Sequence, residues 1–253
     1  MNTVVPADIE RMTDALYIEG PWRSRKSTKF WILLVLAAII ATAGVMADST
    51  ATVIGAMIVA PLMTPILGTA LAVVLADRRH VVRSVLLIIG GALVVIAIGL
   101  ILGFLGSPLD AFASNGQVAG RIHPKLIDLV AALATGTVGA FALVRSDISD
   151  TLPGVAIAIS LVPPLAVVGL LLSVQRYGDA AGAGLLFATN VAAIIATGAV
   201  VLLAYRIRDV ARSGGLTVGD LRGRSLVVVG ALVIIVAIPL TAGFTLVLHR
   251  DCQ

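Results

Sequence analysis

Closely spaced prolines interrupt two apolar stretches of this sequence, and they have the clearest chemical consequence of any residues in it. The first break lies at Pro61 and Pro65, and the second lies at Pro163 and Pro164. Proline has no backbone N–H, and its ring displaces the carbonyl four residues earlier in a helix. The sequence therefore predicts four carbonyl oxygens without helical partners, those of Met57, Pro61, Ile159 and Ser160.

Unpaired carbonyls inside apolar stretches favour a binding site for a small polar or charged solute. Each one costs several kcal/mol in hydrocarbon, so it must face another helix, water, a cavity or an ion. The ends of half-helices add partial charges. The predicted solute-binding residues are Met57, Pro61, Thr64, Pro65, Ile159, Ser160, Pro163, Pro164, Thr189 and Asn190. The alternative is that the prolines are ordinary kinks and that Asn190 only bonds a neighbouring helix.

Seven apolar segments must position these residues. The chain has 253 residues, of which 59% are hydrophobic and 13% are charged, and its mean hydropathy is +1.07. A soluble domain carries about 25% charged residues, and a transmembrane helix needs about 20 mostly apolar ones. The composition therefore predicts an all-α integral membrane protein in contact with the lipid bilayer. Its predicted spans are Phe30–Ala47, Thr52–Ala76, Val81–Leu105, Leu126–Val144, Leu152–Val174, Ala180–Tyr205 and Leu226–Leu248.

The positions of Lys and Arg predict how these spans are oriented. With a cytoplasmic N-terminus and seven crossings, 14 basic residues lie inside and four lie outside, which agrees with the positive-inside rule. The C-terminus is then outside, and the net charge of +4 is explained without nucleic acid. Residues 1–29 are predicted to be a cytoplasmic interfacial tail, in which Ile9, Met12 and Leu16 form one apolar helix face. We favour a position on the membrane surface for this face, and binding to a partner is the alternative.

The sequence is similar to itself at an offset of 99 residues. Between residues 47–66 and 146–165, six of 20 pairs are identical, and they include scarce aspartate, threonine and proline. This predicts two three-helix repeats, 30–105 and 126–205, and one additional helix, 226–248. Three crossings per repeat turn the second repeat upside down, as in the inverted repeats of many secondary transporters. Re-entrant second and fifth segments are an alternative, but the basic residues then divide only 12 to 6.

Acidic residues flank both broken helices. Asp48 precedes the second span, and Asp147 and Asp150 precede the fifth. Capping of the helix N-terminus is the simpler interpretation, and a pair of entrances that attract cations is the alternative. The sequence contains no catalytic motif, nucleotide-binding loop or metal-ligand spacing. It therefore predicts no enzymatic activity, no cofactor and no metal site.

Two signatures resemble those of a known prokaryotic membrane protein family. The first runs from Ile54 to Gly68 after Asp48, and the second comprises residues 154–158 and 161–165 with a later Thr-Asn pair. They are similar to the uncharacterised hydrophobic-domain family, also called domain of unknown function 389. The resemblance implies a multi-pass protein of the prokaryotic cytoplasmic membrane and brings no activity with it. It marks as signature positions Pro61, Pro65, Pro163, Pro164, Thr189 and Asn190.

Taken together, these patterns favour a secondary transporter or permease with a site at the bilayer midplane between the broken helices. An ion channel that uses the same breaks as a filter is an alternative. A non-transporting membrane scaffold is a third possibility. Stripes of small residues, such as Ala132, Gly136 and Ala140, predict close helix packing, and we expect a homo-oligomer.

Overall fold

The computed structural model describes residues 4–18, 24–106, 112, 114–145 and 161–214. Every regular element in these ranges is helical. The helices are α1 (Pro6–Leu16), α2 (Arg25–Met46), α3 (Thr50–Val59), α4 (Met63–Val74), α5 (Arg78–Gly106), α6 (Gly116–Ala119), α7 (Leu126–Val144), α8 (Val162–Ser173), α9 (Tyr177–Ala204) and α10 (Ile207–Ser213).

Four of these helices, α2, α5, α7 and α9, are long and apolar enough to cross a membrane. The pair of α3 and α4 passes the same test and brings the number to as many as five. Large apolar side chains such as Leu86, Leu93 and Phe104 are more than half exposed on α5, which is compatible with contact to a bilayer. The all-helical prediction is therefore confirmed for the described residues, and their long apolar helices are compatible with a multi-pass membrane protein.

The predicted number of seven spans extends beyond the described residues. The fourth predicted span coincides with α7. Only the second half of the fifth is described, as the 12-residue helix α8. The additional helix predicted at 226–248 lies outside the described ranges.

The first proline break separates α3 from α4 and bends the pair by 48°. The Ala60 N–H bonds to the Ala56 carbonyl at 3.1 Å, and Pro61 has no N–H, so the Met57 carbonyl loses its usual partner. The Pro61 carbonyl was expected to be unpaired as well. It instead accepts a hydrogen bond from the Thr64 N–H at 3.3 Å, because the chain tightens to a three-residue turn at the start of α4.

The half-helices that follow the breaks are the most deeply buried elements. In α4 every residue from Pro65 to Val74 is buried, and in α8 every residue from Val162 to Leu171 is buried. By contrast, α3 buries only Val53 and Ala56. Both buried half-helices pack against α5 and α9. The bundle is therefore built around α4 and α8, with α3 at its periphery.

Glycines allow α5 and α8 to approach each other at backbone distance. A methyl group on Gly99 would lie 2.7 Å from the Ala166 carbonyl oxygen and 3.1 Å from Gly169 Cα. A methyl group on Gly169 would collide with the Ile96 carbonyl of α5. Small residues are the usual means of close packing in membranes, where van der Waals contact replaces the hydrophobic driving force.

The N-terminal helix α1 packs on the protein itself. Its apolar residues Ile9 and Met12 are fully buried, and α1 contacts α4, α7 and α10. Arg11 Nη2 donates a hydrogen bond to the Leu143 carbonyl at 3.0 Å, one of the last carbonyls of α7. This corrects the expectation that the apolar face of the tail lies on the membrane surface, because that face is already covered by other helices.

A stacked pair of rings joins the end of α1 to the connection between α4 and α5. The rings of Tyr17 and His80 are parallel, with centroids 4.0 Å apart. His80 Nδ1 lies 2.6 Å from Asp77 Oδ2, and the His80 backbone N–H donates to Asp77 Oδ1 at 3.2 Å. Burial raises the pKa of the Asp77 carboxyl, but the hydrogen bonds from His80 outweigh it and hold the pKa below its usual 3.8.

We predict that Gly99→Ala destabilises the protein by about 1 to 3 kcal/mol, because α5 and α8 must move apart to admit the methyl group. The matched control is Gly55→Ala in α3, where an added methyl group meets no atom within 4 Å. That change should be neutral or stabilising by up to about 1 kcal/mol through helix propensity. Unfolding of the two variants in detergent micelles measures both effects, and equal stability of the two would contradict this packing.

We predict that the stabilisation contributed by Asp77 depends on pH. Because its folded pKa is depressed, the contribution is complete above the unfolded value of 3.8 and is lost as the pH falls through the folded value. The melting temperature of the wild type should exceed that of Asp77→Asn near neutral pH, and the difference should vanish in acid. A difference that persists unchanged well below pH 3.8 would contradict the assignment.

Candidate functional site

Neither of the buried helices α4 and α8 begins with a side-chain cap. The N-cap residues are Leu62 for α4 and Leu161 for α8, and neither leucine side chain can accept a hydrogen bond. The first-turn N–H groups of a helix have no partner within the helix. Prolines reduce their number, since Pro65 lies in the first turn of α4, and α8 begins with Val162 followed by two prolines. The remaining N–H groups give the start of each of these helices a partial positive charge.

The two half-helices have matching boundaries at the offset of 99 residues. Residues 63–74 of α4 correspond to residues 162–173 of α8. Each is followed by a residue with left-handed backbone, Ala76 (φ 55°) and Gln175 (φ 59°). The next N–H bonds back to the helix in both cases, from Asp77 and Arg176, at 2.9 Å. The same local structure therefore ends both half-helices.

The start of α4 lies against two of the long helices. A methyl group on Gly91, near the centre of the 29-residue α5, would lie 3.1 Å from Leu62 Cδ2. A methyl group on Gly139 of α7 would lie 3.1 Å from Met63 Cε. The start of α4 is therefore close to the middle of α5 and to the second half of α7.

Asn190 lies at the middle of the 28-residue helix α9 and is 6% exposed. Within the described part of the chain, no hydrogen bond reaches its side-chain amide. The adjacent Thr189 differs, because its hydroxyl donates to the Leu185 and Leu186 carbonyls, each at 3.0 Å. Asn190 is thus a largely buried residue whose amide makes no hydrogen bond to the described residues.

Asn190 and the first break both point to the middle of α7. Residues at spacings of four and seven share a helix face, so Asn190 lies on the same face as Ile194 and Thr197. Those two residues contact α7 at Gly136, less than one turn from the Gly139 that Met63 contacts. Asn190 lies four and seven residues before them on this face of α9.

The other predicted site residues divide into three groups. Thr64 is half-buried and Pro65 is buried, both in the first turn of α4, whereas Met57 and Pro61 are half-buried on the peripheral side of the break. Pro163 and Pro164 are buried in the first turn of α8. Four predicted residues lie outside the described ranges, and these are Asp147, Asp150, Ile159 and Ser160.

Asp48 occupies the corner between α2 and α3, but it does not cap α3. Ser49 is the N-cap, and its hydroxyl accepts a hydrogen bond from the Thr52 N–H at 3.4 Å. Asp48 has left-handed backbone (φ 50°), and its Oδ1 accepts from the Gln117 N–H at 2.9 Å. The carboxylate therefore caps the short helix α6, which corrects the capping interpretation.

Two amides that were not predicted as functional residues hold residues 114–125 on the bundle. Asn115 is buried, and its Nδ2 donates to the Val45 carbonyl at 2.7 Å. The Gln117 side chain donates to Thr50 Oγ1 at 2.8 Å. An Asn followed by Gly is a turn signal that could have identified Asn115, whereas nothing in the sequence indicates that Gln117 reaches α3.

One guanidinium of this connection is largely shielded from solvent. Arg121 Nη1 donates to the Gln117 carbonyl at 2.6 Å and to Gln117 Oε1 at 2.9 Å. Burial lowers the pKa of Arg121, and the nearby Asp128 carboxylate partly opposes this shift. Among the described residues, no three His, Cys, Asp or Glu side chains are grouped as metal ligands would be. Residues 114–125 are therefore held by hydrogen bonds against the corner between α2 and α3 at Asp48.

Comparisons with known proteins give a family and a relative. The sequence profile of the family described as a domain of unknown function (DUF389) matches residues 57–196. An uncharacterized protein of Methanocaldococcus jannaschii is 36% identical over 177 residues, which cover 70% of this chain and 54% of the relative. The chain thus spans about half the length of that curated relative. No solved structure matches the sequence of this chain. Both proline breaks and Asn190 lie within the matched residues.

Proposed function

The chain belongs to the family of domain of unknown function 389 (DUF389), and on that premise we propose that it is a secondary transporter or permease. Its substrate is a small polar or charged solute, and its binding site lies at mid-depth in the membrane beside the two proline breaks. The family description states no activity, so support comes from the geometry of this chain.

The observation that carries the proposal is Asn190, a residue with 6% exposure whose amide has no hydrogen bond to the described residues. It lies halfway along a helix of membrane length. Packing alone does not require an amide there, because the repeat-equivalent residue of α5 is Gly91. Polar groups at this depth are typically part of a solute pathway.

Reciprocal helix contacts support two structurally equivalent repeats. In each repeat, a glycine of the third long helix lies against two residues in the half-helix of the other repeat. These contacts are Gly99 with Ala166 and Gly169, and Gly198 with Leu67 and Ala70. The two sets are related by the 99-residue offset with partners exchanged, which is the pattern that a two-fold axis produces. Equivalent half-helices on opposite sides of one site are the usual basis of alternating access.

We place this axis in the plane of the membrane. Three crossings per repeat, with the broken spans counted as complete crossings, leave the second repeat inverted relative to the first. The segment 226–248 is then a seventh helix that ends outside. The distribution of basic residues supports a cytoplasmic N-terminus, in the cytoplasmic membrane of a prokaryotic cell.

The inverted topology predicts that residues 48 and 147 lie on opposite sides of the membrane. Asp48→Cys and Asp147→Cys, each combined with Cys252→Ser, should react with a membrane-impermeant maleimide from opposite faces. Sealed right-side-out and inside-out vesicles allow the two faces to be measured separately. Labelling of both positions from the same face would exclude an inverted repeat.

The site itself predicts that Asn190→Ala and Pro164→Ala reduce saturable solute uptake into proteoliposomes by more than about tenfold. The first change removes the amide, and the second removes the ring that shapes the start of α8. Thr42→Val is the matched control, because the Thr42 hydroxyl is buried and bonded to its own helix at the Ala38 carbonyl. All three proteins should insert normally. If both site variants take up solute at the wild-type rate, the proposed site is wrong.

Carrier and channel are distinguished by the same preparation. Saturable uptake that is accelerated by solute on the opposite side indicates a carrier, since the site must reorient between the two faces. A voltage-driven current that does not saturate at low solute concentration indicates a channel. Counter-transport that is lost in Asn190→Ala is the outcome expected here.

A further inference from the structure

We propose that an anionic phospholipid binds to the exposed faces of α2 and α5 that carry Arg25, Lys29 and Arg79, which we call the α2–α5 surface. The phosphate lies at the basic starts of the two helices, and the acyl chains lie on the apolar residues that follow. This inference goes beyond the proposed function, because it requires neither transport nor a particular orientation in the membrane.

Contacts along their length show that α2 and α5 run parallel to each other. A methyl group on Gly91 of α5 would lie 3.1 Å from Leu34 Cδ2 of α2. Further along both helices, a methyl group on Gly106 would lie 2.8 Å from Met46 Cε. Later residues of α5 thus contact later residues of α2. Both helices are long enough to cross a membrane, so their first turns lie at the same membrane face.

One exposed face of α2 is basic at its start and apolar along the rest. Residues at spacings of three and four share a helix face, and five exposed residues follow this spacing in α2. They are Arg25, Lys29, Ile32, Leu36 and Ile39. A positive charge followed by exposed apolar side chains is the order that a phospholipid presents along the membrane normal, with its phosphate at the surface and its acyl chains below.

One exposed face of α5 has the same order. Its exposed residues at spacings of three and four are Arg79, Val82, Leu86, Ile89 and Leu93. At about 1.5 Å per residue, the apolar part of this face is about 16 Å long. One leaflet contains roughly 15 Å of hydrocarbon. The apolar part of this face therefore matches the length of an acyl chain.

The basic residues of the α2–α5 surface are not neutralised by the carboxylates near them. Asp14 of α1 pairs with Lys26, and Asp77, which precedes α5, bonds to the His80 ring at 2.6 Å. Among the residues that the structure describes, no hydrogen bond or ion pair reaches the side chains of Arg25, Lys29 and Arg79. Their charge is therefore available to an anion from outside the chain.

The basic residues at the two ends of α9 differ in this respect. Arg176 Nε donates to Asp179 Oδ2 at 2.7 Å, and Arg206 Nε donates to Asp209 Oδ2 at 2.9 Å. These charges are compensated within the chain. Each basic residue near an anionic membrane surface increases the affinity roughly fivefold, so the uncompensated starts of α2 and α5 favour an anionic headgroup over a zwitterionic one.

The experiment measures thermal unfolding in a neutral detergent as lipid is added. Dioleoyl phosphatidylglycerol and dioleoyl phosphatidylcholine share their acyl chains and differ in charge, and glycerol 3-phosphate represents the soluble headgroup alone. The test variant is Arg25→Gln/Arg79→Gln. The matched control is Lys125→Gln/Arg212→Gln, which also removes two exposed basic charges, at the start of α7 and in α10. Unfolding without lipid shows that each variant is folded, and Lys29→Gln/Arg79→Gln replaces the test variant if it is not.

We expect phosphatidylglycerol, but not phosphatidylcholine, to raise the melting temperature of the wild type and of the control in a saturable manner. The lipid concentration that gives half of this increase should rise more than about tenfold in the test variant, because two roughly fivefold contributions are lost. No response to phosphatidylglycerol, an equal response to both lipids, or the same midpoint in the test and control variants would overturn the proposal.

Two further outcomes would assign the α2–α5 surface to another occupant. Stabilisation by glycerol 3-phosphate alone would indicate a site for a free phosphate and would contradict the role of the apolar faces. Native mass spectrometry of the same samples counts bound lipids and chains. A dimer that dissociates in the test variant, with lipid binding unchanged, would show that a second copy of the chain covers this surface.

Discussion

The need to pair every backbone N–H and carbonyl in an apolar environment governs this structure. In the long helices these groups bond to one another within the helix. This is why α2, α5, α7 and α9 can present apolar side chains to lipid. The breaks cannot meet it in this way, because proline removes donors at mid-depth. The protein responds by enclosing the half-helices that follow the breaks, so that α4 and α8 become its most deeply buried elements.

Enclosing two half-helices requires that their neighbours come very close. Gly99 and Gly169 allow backbone contact between α5 and α8, and Gly136 allows it between α7 and α9. Hydroxyl groups in the same region are satisfied locally, as for Thr197, which donates to the Ala193 carbonyl at 2.8 Å. Asn190 differs, because it lies in the middle of the continuous helix α9 and its amide has no hydrogen bond to the described residues.

Much of this architecture could be predicted because hydrophobic length and proline position are local properties of the sequence. The predicted span Leu126–Val144 coincides with α7, and the predicted break at Pro61 is the bend between α3 and α4. The position of α1 could not be predicted in this way. Its face of Ile9, Met12 and Leu16 has the pattern of a membrane-surface helix, and only tertiary contacts reveal that it is covered. The roles of Asp48 and Gln117 were hidden for the same reason, since they bond across 69 residues.

The location of α1 has a consequence for how the chain is made. Ile9 and Met12 leave the ribosome early, but α10, one of the helices that contact α1, begins only at Ile207. Gly214 at the end of α10 packs against Pro6, since a methyl group there would lie 2.7 Å from Pro6 Cβ. At about 5 to 20 residues per second, the interval is about 10 to 40 s. Until then the nascent α1 can pack only on α4 and α7, so the order of synthesis makes the completion of its docking one of the last steps of folding.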